Sequence, residues 1–111
     1  MKSRHRWCAF DASVKDTTAV TAGSTISFGL NVPDGVGHFN VLEIIRESGC
    51  AAIAVSEADT AVELQRVWRD KLWWISPEGA ACLAAMPQLL DRGLLRRGER
   101  VVAVNTGSAE K

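Results

Sequence analysis

Apolar and polar positions change rhythm along this chain, and each change marks an element. From Pro33 onward, "DGVGHFNVLEIIRESG" sets Phe39, Val41, Leu42, Ile44 and Ile45 on one broad apolar face, and Gly49 stands where a helix commonly closes. A largely buried helix is predicted there. "CAAIAVS" is a short apolar run between turn residues, a length that favours a buried strand. Ser56 then opens Ser-Glu-Ala-Asp, a capping residue with an acid three positions on. Ala61, Leu64, Val67 and Trp68 follow at three- and four-residue steps, so a second helix is predicted to about Lys71. "LWWIS" reads as a second strand. Ser76 can cap, Pro77 suits a first helical position whose N–H has no partner anyway, and Glu78 complements the positive helix end. The third helix runs to Gly93 and is expected to kink at Pro87, which removes one backbone hydrogen bond. "RVVAVN" is apolar on both sides, as in a central strand covered on both faces.

Helix and strand patterns therefore alternate, which predicts an α/β fold: a partial parallel sheet of about three strands with flanking helices, joined by right-handed crossovers. So narrow a sheet leaves both edges open, and it reads as part of a larger one. Residues 1–25 show no clean period and are expected to be irregular, leaving 26–111 as the α/β portion.

Composition narrows the classes of function. The chain has 111 residues, enough for one small core, and 47% of them are apolar. Its formal net charge is zero, which suits neither nucleic acid nor a membrane surface. No apolar run is long enough to span a bilayer, and "MKSRHRW" is not followed by the apolar stretch of a signal peptide. Cys8, Cys50 and Cys82 are odd in number and widely spaced, against a disulfide framework or a zinc site, so no metal is expected and the cytoplasm is the default compartment. His38 reads as a helix-packing or surface residue, and Cys82 as a small buried one. Trp68, Trp73 and Trp74 read as core or interface aromatics, and Arg92, Arg96, Arg97 and Arg100 as a solvated cluster at a helix end.

In open parallel sheets, ligands sit beyond the carboxyl ends of the strands, where loops and helix N-termini meet. Val55-Ser56-Glu57, Ser76-Pro77-Glu78-Gly79 and Asn105-Thr106-Gly107-Ser108 all meet that description and are expected on one side. Helix capping accounts for Ser56. No helix pattern follows the third segment, so its Thr-Gly-Ser tip needs another reason.

Four motifs in order, "TISFGLNVPDGVGHFNVLEIIRESG", "AIAVSEAD", "ISPEGAACLAA" and "GERVVAVNTGS", resemble the C-terminal part of threonine synthase. That family is pyridoxal-phosphate dependent and has the tryptophan-synthase-β fold (fold type II). Related threonine dehydratases share the architecture. The resemblance implies conversion of O-phosphohomoserine and water to threonine and phosphate. It also implies that Thr106, with Ser108 nearby, faces the pyridine nitrogen of pyridoxal phosphate, while Asn105 and Gly107 set the backbone. A hydroxyl at that place does not force the ring nitrogen to be protonated. By the same resemblance Glu78, Gly79 and the stretch Gly29 to Pro33 shape the pocket. The family also needs a lysine that condenses with the aldehyde and a glycine-rich phosphate loop, and neither is recognised in this chain; "SVKD" at Lys15 reads as a solvated lysine. No catalytic residue is therefore assigned, and the chain is not expected to act alone. Three readings follow: a C-terminal fragment of such an enzyme, a subunit docking on a separate chain that carries the lysine half, or a stand-alone amino-acid-binding module. Phe28, Cys50 and Leu72 stand where the family has small residues, often glycine.

Overall fold

The computed structural model describes residues 23–32 and 37–108. Every regular element among them is helical. A 3-10 turn, Phe28–Leu30, precedes α1 (His38–Glu47), α2 (Glu57–Lys71), α3 (Pro77–Ala84) and α4 (Met86–Asp91). Residues 1–22, with Cys8 and Lys15, lie outside the described residues, as does the side chain of His38.

Local chemistry sets the helix ends. Ser56 caps α2 by accepting from the Asp59 N–H at 3.0 Å, and Glu57 and Asp59 place negative charge on its positive end. Ser76 caps α3 in the same way, accepting from the Gly79 N–H at 3.1 Å, with Pro77 as the first helical residue. At the close of α1 the Gly49 N–H reaches the Arg46 carbonyl and the Cys50 N–H reaches that of Ile45, a paired closure that needs the left-handed backbone of Gly49, φ 67°. Gly93 closes α4 in the same manner. The kink expected at Pro87 is a break: α3 stops at Ala84, Ala85 turns, and Pro87 lies in the first turn of α4, where its missing N–H costs least.

The predicted parallel sheet is absent from the described residues. Residues 50–56, 72–76 and 100–105 form no ladder, and a single antiparallel bridge, Ile75 to Ser108, is the only strand-type pairing among them. A strand exists through hydrogen bonds to a neighbour distant in sequence. Here α2 and α3 pack directly on one another, and the apolar runs are not laid edge to edge. Apolar residues of the last two runs are also exposed, Val102 to 89% and Trp73 to 66%, where a central strand would be buried on both faces.

The core is correspondingly small. Leu42, Val67, Ala80 and Ala84 are its buried apolar residues, with Ser27, Thr60 and Ser76 buried beside them. Helix α1 is not the largely buried helix its pattern predicts. Phe39, Val41 and Ile44 are exposed, only Leu42 is buried, and α1 forms no extended interface with another described helix. Trp68 and Trp74 meet edge to face with ring centroids 4.8 Å apart, yet both remain exposed, and so does Cys82. Of Phe28, Cys50 and Leu72, Leu72 alone carries a positive φ, 56°, as the left-handed cap of α2.

Candidate functional site: the first turn of α3

The first turn of α3 is where two distant segments are tied down. Ser76 is fully buried, and both its N–H, at 3.1 Å, and its hydroxyl, at 3.0 Å, donate to Asn105 Oδ1. Asn105 Nδ2 donates in turn to the Gly107 carbonyl at 2.7 Å. One side chain thus folds the tip on itself and fastens it to the helix start. The approach is so close that a Cβ on Gly79 would collide with Asn105 Oδ1 and stand 3.0 Å from its Cγ, so that the asparagine would have to shift. Glycine at 79 and asparagine at 105 are a matched pair.

On the other side of the turn, the Gly29 N–H donates to Glu78 Oε1 at 2.7 Å. A Cβ on Gly29 would stand 3.0 Å from that oxygen, so Gly29 too is fitted to its neighbour. The same segment is held farther back by α2, where Glu57 accepts from the Thr25 hydroxyl and, at 3.0 Å, from the Ile26 N–H. These bonds, the Thr25 hydroxyl first and the Ile26 amide second, lower the Glu57 pKa below the ordinary glutamate value. Residues 25–29 are therefore strapped by two glutamates across the starts of α2 and α3.

The three segments expected on one side are brought together unequally. Residues 76–79 and 105–107 touch directly, whereas Ser56 and Glu57 join them only through the strap. Asn105 and Gly107 are both engaged in the tie. Thr106 is exposed, and Ser108, also exposed, pairs with Ile75. The strap itself could not be read from the sequence, because Glu57 and Glu78 look like ordinary first-turn acids until the segment they hold is in place.

At the tip the chain offers neutral oxygens, which fit the ring-nitrogen side of a pyridine cofactor. The described residues do not fit the remainder of pyridoxal phosphate. Their single lysine, Lys71, is exposed at the end of α2, where it complements the helix C-terminus. Among the described residues no group of three His, Cys, Asp or Glu side chains is placed to hold a metal, and no helix is long and apolar enough to cross a membrane.

No protein-family model matches the chain. Two curated relatives do. The chain is 27% identical over 103 residues to the threonine synthase of Methanocaldococcus jannaschii, across 93% of this chain and 25% of that protein. To the threonine synthase of Methanosarcina acetivorans it is 29% identical over 83 residues, 75% of this chain and 20% of that protein. The chain thus spans a quarter or less of the relatives it matches, and the similarity is to a threonine synthase-like sequence.

Proposed function

We propose that this chain is the tip-bearing part of a threonine synthase-like, pyridoxal-phosphate-dependent enzyme and is inactive by itself. The observation that supports this most is the pairing of Asn105 with Ser76 and Gly79. It fixes a Thr-Gly-Ser tip on the start of α3, within a chain that matches a threonine synthase over 93% of its length. Pyridoxal phosphate, if bound in a completed site, would supply an electron sink. This chain's own contribution is narrower. Thr106 would offer its hydroxyl to the pyridine nitrogen as a neutral partner, with Ser108 beside it, while Asn105 and Gly107 would hold the backbone. Glu78 and the strap form the adjoining wall. The lysine and the phosphate-binding loop come from a complementary polypeptide matching the three quarters of its relatives that the chain does not span.

The test is complementation. The 111-residue chain, supplied with pyridoxal phosphate and O-phosphohomoserine, releases neither phosphate nor threonine. Mixed or co-expressed with the part of the M. jannaschii enzyme outside the matched 103 residues, it gives both. In that mixture Thr106→Asp, which favours a protonated ring nitrogen, lowers kcat more than it raises KM. Threonine formation by the chain alone, or equal activity of that part with and without the chain, would overturn the reading.

A further inference from the structure

The strap runs on through its 3-10 turn to Asn31, and residues 25–31 are bonded closely within themselves. The Thr25 hydroxyl accepts from the Ser27 N–H at 3.1 Å, the Leu30 N–H reaches the Ser27 carbonyl at 2.9 Å, and the Asn31 N–H reaches that of Phe28 at 3.1 Å. Asn31 Nδ2 donates back to the Gly23 carbonyl at 3.2 Å, which closes the stretch on itself. Bonds of this kind lie inside the segment and are kept when it moves as a body.

What joins the segment to the helices is different in kind. Its hydrogen bonds to α2 and α3 end on carboxylates: Glu57 accepts from the Thr25 hydroxyl and the Ile26 N–H, and Glu78 accepts from the Gly29 N–H. Both amide bonds are exposed to solvent. Ser27 is buried where the 3-10 turn packs on α3, but Ile26, Phe28, Leu30 and Val32 are all exposed, Phe28 to 78%. Little apolar burial and solvent-exposed main-chain bonds mark a region that opens well below the free energy of global unfolding. The Asn105 tie to the same helix start is the contrast, because it ends on the fully buried Ser76.

We infer that residues 25–31 are a latch, which lifts from the first turns of α2 and α3 as one body while both helices and the Asn105 tie stay closed. Its two amide anchors, Ile26 and Gly29, sit three positions apart on one internally bonded unit, so loosening either loosens the other. The meaning of the motion rests on the function proposed above: the tip is the fixed face of the site and the wall at Glu78 is the movable one. Opening withdraws the Gly29 amide from Glu78 and uncovers the face of α3 on which the 3-10 turn packs.

Native-state hydrogen exchange of the full 111-residue chain, followed amide by amide by NMR, tests the latch without cofactor or substrate. Ile26 and Gly29 are expected to share one protection factor, roughly tenfold or more below those of Ser76 and Gly79. Two conservative variants are then read at the far anchor. Thr25→Val takes the hydroxyl from Glu57 and is read at Gly29; Gly29→Ala, whose Cβ would stand 3.0 Å from Glu78 Oε1, is read at Ile26. Each is expected to speed exchange there about threefold or more, the scale of one lost hydrogen bond, and to leave Ser76 and Gly79 within about twofold of the parent. A smaller response at either far anchor means separate bonds and overturns the latch. So does protection of Ile26 and Gly29 equal to that of Ser76, or an equal rise at Ser76 and Gly79, since the segment then opens only with the whole fold. Each of these results leaves the proposed function standing, and inactivity of the complemented mixture overturns that function without touching the latch.

Discussion

Replacing Asn105 by alanine removes the acceptor that two groups of Ser76 share. Ser76 is fully buried while Asn105 is exposed, so water entering the vacated place replaces Oδ1 only in part. A buried donor left without an acceptor costs about 1–3 kcal/mol. The Ser76 N–H bears the larger share of that cost. Its hydroxyl can rotate, and its oxygen still accepts from the Gly79 N–H, so its loss is smaller. The Gly107 carbonyl lies on a half-buried residue and turns to solvent. The sum is about 2 kcal/mol, or roughly 8–15 °C in unfolding midpoint for a domain of this size. Chemical or thermal unfolding followed by tryptophan fluorescence reads it, since Trp68 and Trp74 are on and beside α2, which packs on α3. The companion substitution sharpens the test. Gly79→Ala alone is destabilising because the new methyl meets Asn105, whereas in the Asn105→Ala background that obstacle is gone. The double mutant is therefore less destabilised than the two single losses added together. Strict additivity, or an Asn105→Ala loss below about 0.5 kcal/mol, the scale of an unremarkable surface change, refutes the reasoning.

Other expectations follow from single features. Leu72 holds φ 56° as the cap of α2 while its side chain is largely exposed, so Leu72→Gly relieves about 1 kcal/mol of left-handed strain, partly offset by glycine's freer unfolded chain, and the unfolding midpoint rises. A fall of the midpoint would contradict this. Ser56→Ala loses the cap on α2 and costs about 1 kcal/mol, measured as a lower denaturant midpoint with an unchanged slope. The Glu57 carboxylate, held by Thr25 and Ile26, has a folded pKa below its unfolded one. Its contribution is therefore fully present above the ordinary glutamate value of 4.5 and is lost as pH falls through the lower folded value. Unfolding midpoints from pH 7 down to pH 3 fall less steeply in Glu57→Gln than in the parent, and parallel curves would contradict the strap.

Helix ends were legible because capping is local chemistry. Ser56, Ser76, Pro77, Gly49 and Gly93 each act within four residues of their own position, so a short window contains the whole cause. The runs at 50–56, 72–76 and 100–105 carry a sheet pattern without forming a sheet for the opposite reason. An apolar, β-branched run records that a segment is suited to burial, and pairing depends on a partner elsewhere. Val102 carries the strand signature and has no such partner among the described residues. Helix α1 fails similarly: its apolar face is real, and no other described helix covers it. At the candidate site, Asn105 was singled out from the tip it belongs to, but its bonds to Ser76 cross 29 positions of sequence. Neither they nor the clasp of Gly29 by Glu78 could be seen before the chain was folded.

The central claim is that the chain carries the tip of a pyridoxal-phosphate site and not its lysine. The most direct measurement is borohydride reduction of the complemented mixture with pyridoxal phosphate, followed by peptide mass mapping, beside the same treatment of the chain alone. A reduced adduct is expected on a lysine of the complementary polypeptide and none on this chain in either sample. A specific adduct on a lysine of the 111-residue chain, formed without the partner and displaced by O-phosphohomoserine, would contradict it.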